Sequence, residues 1–125
     1  MANLLVVDDE VILLSVIEVV LTSAGHNVTC AKDGKSALNE LIRNPNFDLV
    51  ISDIMMPNMS GIELYEQAHT ERPTDCPPFL FISAQDFSHI RRTVTGMEFV
   101  GFVAKPFKAE ELIQSVDHAI RAKVL

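Results

Sequence analysis

Residues 47–63, FDLVISDIMMPNMSGIE, decide the fold of this chain. The stretch opens with a β-branched apolar run that is too short for a typical helix and is typical of a buried strand, and the run ends on Asp53. The Met56-Pro57 pair follows and indicates a turn, because a residue before proline avoids the helical region. Ser60 and Glu63 then form the pattern of a capping box, which predicts the start of a helix. Asp53 is therefore expected at the carboxyl end of a strand, the edge at which open parallel sheets bind ligands.

The composition is that of one acidic globular domain. The chain has 125 residues, of which 48% are apolar and 22% charged, and its formal net charge is −7. Such a chain gains nothing from the counterion release that drives direct binding to nucleic acids, and an anionic membrane surface would repel it. The longest apolar stretch, residues 11–21, is too short to span a bilayer, and no signal-peptide pattern comes first. Cys30 and Cys76 lack metal-ligand spacing and indicate reduced thiols, so we expect a cytoplasmic location.

The remaining apolar runs alternate between strand and helix patterns. Strands are predicted at residues 4–7, 27–30, 47–52, 79–82 and 101–104, and helices at residues 11–24, 36–43, 61–70, 86–95 and 108–123. This alternation predicts an α/β fold in which helices cover both faces of a parallel sheet through right-handed crossovers. We expect a single domain over residues 1–125 with a doubly wound five-stranded parallel sheet, order 2-1-3-4-5, in a flavodoxin-like (βα)5 arrangement.

The predicted strand ends bring complementary chemical groups to one edge of the sheet. The first strand ends in Asp8-Asp9, the third in Asp53, the fourth in Ser83 and the fifth in Lys105. Clustered carboxylates repel one another unless a cation joins them, and Mg²⁺ prefers carboxylates, waters and phosphate oxygens as ligands. A free carboxylate beside Mg²⁺ can attack a phosphoryl donor while the lysine and the hydroxyl stabilise the transferred oxygens. The alternatives are a structural Lys–Asp pair and, for Asp53 taken alone, a loop cap.

Four motifs resemble the receiver domain of two-component response regulators, and the resemblance covers the full chain. They are LLVVDDE near the start, DLVISDIMMPNMSGIEL in the middle, FISA at residues 81–84 and FVAKPF at residues 102–107. The resemblance implies a protein that takes a phosphoryl group from a sensor histidine kinase or a histidine phosphotransfer protein. It implies no enzyme beyond self-phosphorylation and slow autodephosphorylation at Asp53.

The resemblance also implies a role for each residue of the cluster. Asp53 would be the phosphoacceptor, Ser83 the switch hydroxyl, Lys105 the phosphate-binding lysine and Phe102 the aromatic side chain that rotates during switching. Mg²⁺ would be held by Asp9 directly, by Asp8 through water, by Asp53 and by the backbone carbonyl of Met55. The bond before Pro106 would be cis, as essentially only X-Pro bonds are.

The implied output is a change in the face formed by the fourth helix, the fifth strand and the fifth helix. That face would control an output domain or a downstream protein, and a homodimer that forms on phosphorylation is a further arrangement to test. Asn58 and Ser60 stand where the family often has Gly and Asp, and both suit a turn and a helix cap. Phe102 lacks the hydroxyl of a tyrosine, and Met55 and Gln85 hold variable positions that tune the phosphate lifetime in the family.

Three other functions are weighed against this one. A haloacid-dehalogenase-type phosphatase would want a second Asp two residues after Asp53, where this chain has Met55. A flavodoxin-like FMN protein would want a phosphate-cradling Ser/Thr/Gly loop after the first strand, where this chain has Asp8, Asp9 and Glu10. A receiver-like interaction module that works without phosphate is the third alternative.

The first helix is too apolar to bury all of its nonpolar residues. Its polar stripe predicts a core face and a partly exposed face. The predicted core residues are Leu13, Val16, Ile17 and Val20, and the predicted exposed residues are Val11, Leu14 and Val19. Exposed apolar residues beside the site would form a docking surface for the helices that carry the donor histidine. The four histidines, at positions 26, 69, 89 and 118, have no ligand spacing and are expected at the surface.

Overall fold

The computed structural model describes residues 1–84 and 101–124, which form five strands and four helices. The strands are β1 (Asn3–Val7), β2 (Asn27–Ala31), β3 (Leu49–Asp53), β4 (Phe79–Ser83) and β5 (Gly101–Ala104). The helices are α1 (Val11–Ser23), α2 (Gly34–Arg43), α3 (Gly61–Glu71) and α4 (Ala109–Val124). The helix predicted at residues 86–95 lies outside the described residues. Among the described helices, none combines the length and the apolar character needed to cross a bilayer.

All strand pairs are parallel, and the sheet order is β2-β1-β3-β4-β5, as predicted. The chain moves outward from β1 to β2 and then returns to β3 on the other side of β1. Ligands bind at such a switch point in open α/β sheets. The register pairs Val7 with Ser52, so the residues that follow β1 lie beside the end of β3.

Both faces of the sheet are covered by helices. Leu5 and Val7 of β1 belong to a buried cluster with residues of α2 and α3, whereas Leu4 and Val6 belong to a second cluster with residues of α1 and α4. Successive residues of a strand point to opposite faces, so an unbroken apolar strand can fill two cores at once. The near-continuous apolar runs of the sequence therefore belong to strands that are covered by helices on both faces, as expected.

The connection from β3 to α3 holds the end of β3 in place. Ser60 Oγ accepts a hydrogen bond from the Glu63 N–H at 3.1 Å, and the Glu63 carboxylate accepts one from the Ser60 N–H at 3.0 Å, which confirms the predicted capping box. Asn58 has φ of 69°, a left-handed conformation that Asn tolerates better than most residues. A side chain at Gly61 would collide with the backbone carbonyl of Asp53, so α3 begins in direct contact with β3.

The helix α2 begins earlier than its periodicity predicts. The sequence predicts that this helix begins at Ser36. In the structure Asp33 is the N-cap, because its side chain accepts a hydrogen bond from the Ser36 N–H at 2.7 Å, and the helix starts at Gly34. On this helix Ala37 and Leu41 are buried and Ile42 is exposed.

The rotation of α1 about its axis differs from the prediction. Leu14 was expected to be exposed and is 7% exposed, whereas Val16 was expected in the core and is 50% exposed. The buried residues of α1 are Leu14, Ile17 and Leu21, one stripe at helical spacing. The prediction failed because nine of the thirteen residues of α1 are apolar, so the sequence pattern does not specify which stripe faces the sheet. Val11 and Val19 are exposed, as predicted.

The prediction that the histidines lie at the surface is wrong for one of them. His26 is buried, and its Nδ1 accepts a hydrogen bond from the Ala2 N–H at 3.2 Å. Its Nε2 lies 3.7 Å from an oxygen of Asp117 on α4. The imidazole therefore joins the start of β1 to α4, a contact across the chain that no local pattern indicates. His69 is half-buried against Tyr65, His118 is exposed, and His89 lies outside the described residues.

Candidate functional site

The predicted site residues converge at the carboxyl edge of the sheet. Asp8, Asp53 and Ser83 follow or end β1, β3 and β4, and each is at most 3% exposed. Lys105 follows β5 directly, and its backbone N–H donates to the Ser83 carbonyl at 2.8 Å. The Lys105-Pro106 bond is cis, as the resemblance implies. Four separate segments of the chain are thus brought to one place by the strand order alone.

The ammonium of Lys105 links three carboxylates. Its Nζ lies 2.8 Å from Asp53 Oδ2, 3.0 Å from Asp8 Oδ2 and 3.3 Å from Glu10 Oε1. Asp8 also accepts the Glu10 N–H on its other oxygen at 2.8 Å, and Asp53 accepts the Met55 N–H on Oδ1 at 3.1 Å. Each buried carboxylate therefore has a charge partner and a backbone donor, as buried charges require.

The pKa values of the two central groups are both raised. Burial raises the pKa of Asp53, and the nearby charge of Asp8 adds to this, while the hydrogen bond and charge of Lys105 act in the opposite direction without cancelling it. Burial alone would lower the pKa of Lys105, but its hydrogen bonds to Asp53 and Asp8 raise it well above its usual range. The ammonium is therefore charged at any physiological pH, and a carboxylate at Asp53 carries a cost that a further cation would relieve.

The donor set fits a hard divalent cation. One oxygen each from Asp8, Glu10 and Asp53 lie within 4.8 Å of one another. Carboxylate oxygens, supplemented by water, are the ligands that Mg²⁺ takes in proteins. Asp9 is exposed beside this group and is not one of the three converging acids. Met55, whose carbonyl is the predicted ligand, lies two residues after the end of β3, and its N–H donates a hydrogen bond to Asp53.

Glu10 is the residue of this cluster that the sequence analysis did not assign to the site. In the sequence analysis Glu10 is named only as one of three acids after the first strand. Its position directly after Asp8-Asp9 was the available signal, but the direction of its side chain depends on where Lys105 lies, 95 residues further along the chain.

The two predicted switch residues lie on adjacent strands. Ser83 is fully buried at the end of β4, and Phe102 is half-buried on β5, where it pairs in register with Phe81. Phe102 packs against the apolar cluster on the α2 and α3 face of the sheet. Ser83 thus lies two residues along β4 from the register partner of Phe102.

Comparison with known proteins agrees with this geometry. Residues 4–117 match the family model described as the response regulator receiver domain. The chain belongs to that family. Receiver domains are the signal-accepting part of two-component systems, so the haloacid-dehalogenase-type phosphatase and the FMN protein are set aside.

The similar proteins include chains about twice as long as this receiver and chains of about the same length. The response regulator ArlR of Staphylococcus haemolyticus is 32% identical over 97% of this chain and 53% of its own length. The uncharacterized transcriptional regulatory protein YrkP of Bacillus subtilis is 41% identical over 88% of this chain and 46% of its own length. The solved structure of the chemotaxis protein CheY4 of Vibrio cholerae has a TM-score of 0.87 at 28% identity and covers 95% of this receiver and 98% of its own chain. This receiver thus spans about half the length of the curated relatives it matches.

The raised pKa of Asp53 predicts how stability depends on pH in the absence of divalent cations. The folded receiver holds a proton on Asp53 at pH values at which the unfolded chain has released it. The free energy of unfolding therefore falls as the pH rises from about 4, the usual carboxyl pKa, through the higher folded pKa. Asp53→Asn cannot ionise and should gain stability relative to wild type across this window, with no gain below it.

Urea unfolding at a series of pH values in EDTA measures this difference. Glu66→Gln, which removes the same charge from an exposed position on α3, controls for net charge. A loss of stability in Asp53→Asn that grows with pH would contradict the analysis, since it would mean that the attraction of Lys105 outweighs the cost of burial.

Proposed function

We propose that this receiver accepts a phosphoryl group on Asp53 in a Mg²⁺-dependent reaction, and that the donor is a phosphohistidine on a sensor kinase or a histidine phosphotransfer protein. The observation that carries the proposal is the buried Asp53 carboxylate, held 2.8 Å from Lys105 within a cluster of acids. A carboxylate of this kind is a competent nucleophile, and transfer of a phosphoryl group depends mainly on positioning and charge neutralisation.

The residues divide the work of the transfer between them. An oxygen of Asp53 attacks the phosphorus, the bond between phosphorus and the imidazole nitrogen breaks, and the electron pair stays on that nitrogen. Lys105 neutralises one of the phosphoryl oxygens with a charge-assisted hydrogen bond. Asp53, Asp8, Asp9 and the Met55 carbonyl would hold the metal. Bound Mg²⁺ would neutralise further negative charge as the phosphoryl group arrives.

The surface of α1 supports a docking site for the donor protein. Val11, Ile12, Val16 and Val19 are exposed, although the sequence analysis placed Val16 in the core. A groove beside them is lined by Leu13, Val16, Val20, Pro106 and Phe107 and reaches Lys105 and Glu10 of the site. A helix that laid an apolar face along this surface would bring a donor histidine to the site rim.

The output is proposed to follow from the new charge at Asp53. The phosphoryl group adds close to two negative charges and three acceptor oxygens. Bonds from Ser83 and Lys105 to these oxygens are worth roughly 1.5–3 kcal/mol each, and they exist only in the phosphorylated state. We propose that Ser83 moves toward the phosphoryl group and that Phe102 turns into the space it leaves. The face formed by β5, α4 and the helix predicted at residues 86–95, which lies outside the described residues, would then act on an output domain, on a separate protein or on a second copy of the receiver.

Labelling with acetyl phosphate tests the central step. Intact-protein mass spectrometry of wild type with Mg²⁺ should show one added phosphoryl group, and Asp53→Asn or EDTA should abolish it. Asp33→Asn is the matched control, because Asp33 follows β2 at the same sheet edge and Asn also caps helices well. Equal uptake by Asp53→Asn, or no uptake by wild type, would contradict the proposal, and the second result would favour an interaction module that works without phosphate.

The docking surface predicts a selective defect in Val16→Ser. Transfer from a histidine kinase that phosphorylates the wild type should slow about fivefold or more, since buried interface anchors are typically worth more than 1 kcal/mol. Labelling by acetyl phosphate should be unchanged, because the site itself is intact. Ile42→Ser, at a similarly exposed apolar position on α2, should leave both rates unchanged. An unaltered kinase rate in Val16→Ser would remove α1 from the proposed interface.

The switch predicts that Ser83→Ala still binds the phosphoryl group but responds weakly. Its hydroxyl is the bond that the proposal requires between the phosphoryl group and β4, whereas Asp53 and Lys105 remain. NMR spectra with Mg²⁺ and beryllofluoride, a phosphoryl analogue, should show a much smaller shift of the Phe102 resonances in Ser83→Ala than in wild type. A full Phe102 response in the variant would mean that the coupling takes another route.

A further inference from the structure

In this structure each proton of the Lys105 ammonium has a carboxylate acceptor, so a phosphoryl oxygen would have to compete for one of them. An ammonium carries three protons, and Nζ has three carboxylate partners, namely Asp53, Asp8 and Glu10. If Lys105 is to bind a phosphoryl group on Asp53, one of these bonds has to be exchanged. The question is which acid gives way at the lowest cost.

Glu10 is the partner that can leave most easily. Its bond to Lys105 is the longest of the three at 3.3 Å, and its side chain is 64% exposed, whereas that of Asp8 is fully buried. A carboxylate that turns from an ammonium into water regains its hydration, so an exposed pair is worth little. Asp8 and Asp53 cannot turn into water in this way, because each would remain buried without its charge partner.

The side chain of Glu10 does not cap the helix α1, although side chains at this position usually do. Glu10 is the N-cap of α1, where a side chain normally accepts a hydrogen bond from the first turn, yet it makes no such bond. Its backbone N–H is held by Asp8 at 2.8 Å, which fixes the residue while its carboxylate reaches to Lys105. The geometry thus directs a flexible acid at the phosphate-binding ammonium.

We propose that Glu10 is a displaceable partner of Lys105 that occupies the ammonium proton needed by an incoming phosphoryl oxygen. Glu10 thereby weakens the binding of small phosphoryl anions to the receiver, and it is a positioning residue that acts through Lys105. This inference rests on the proposed function, since it assumes that Lys105 binds the transferred group.

Titration with beryllofluoride in saturating Mg²⁺, followed by NMR, tests this role. Glu10→Ala and Glu10→Asp should each bind beryllofluoride about two- to fivefold more tightly than wild type, the size expected for the loss of an exposed ion pair. Glu10→Asp keeps the charge but is one methylene shorter, so it separates direct contact with Lys105 from the field of a nearby charge. Glu18→Gln, at an exposed position of α1, should leave the affinity unchanged.

The alternative role of Glu10 as a metal ligand gives a different result. A titration with Mg²⁺ alone would then show weaker binding in both Glu10 variants, and beryllofluoride would bind more weakly as well, which would overturn the inference. Unchanged beryllofluoride affinity in both variants would also overturn it and would leave the proposed function intact. Failure of wild type itself to bind beryllofluoride with Mg²⁺ would overturn both.

Discussion

The structure depends on two buried carboxylates that share one ammonium. Asp8 and Asp53 end up almost without solvent contact at neighbouring strand ends, and Lys105 lies within 3.0 Å of both. Burying an unpaired carboxylate costs several kcal/mol even after the protein relaxes, so the acids and the lysine have to be brought together by the fold. The sheet order does this, because it sets β1 beside β3 and allows the segment after β5 to reach across β4.

The burial of these carboxylates also explains why the site favours a bound cation. A raised pKa at Asp53 is the sign of a carboxylate whose surroundings do not fully compensate its charge. Such a residue gains from any ligand that brings positive charge, and Asp8 and Asp53 offer oxygens to a hard cation. The packing around β3 supports this arrangement, because the close contact of Gly61 with the Asp53 carbonyl and the capping box of α3 fix the strand end. The end of β3, and with it Asp53, is therefore held in place by direct contacts with α3.

Much of this could be predicted from the sequence, because the decisive signals are local. Apolar runs that end in acids specify strands and their carboxyl ends, and the alternation of strands and helices specifies the parallel sheet. The rotation of α1 about its axis could not be predicted, because the helix has apolar residues on most of its sides. Only packing against the sheet selects Leu14 over Val16 for the core. The burial of His26 and the direction of Glu10 could not be predicted either. Both depend on partners far along the chain, Asp117 on α4 and Lys105 after β5.

Lys105 stabilises the buried acid pair, and we expect a divalent cation to take over part of that role. The most direct measurement is the free energy of unfolding of Lys105→Met with and without Mg²⁺, with Lys108→Met, an exposed neighbour, as the control. Lys105→Met should lose about 3 kcal/mol or more of stability in EDTA, as expected when one partner of a buried ion pair is removed. Mg²⁺ should stabilise this variant more than it stabilises wild type. A Lys105→Met variant as stable as wild type in EDTA, or one that Mg²⁺ does not stabilise, would contradict the account.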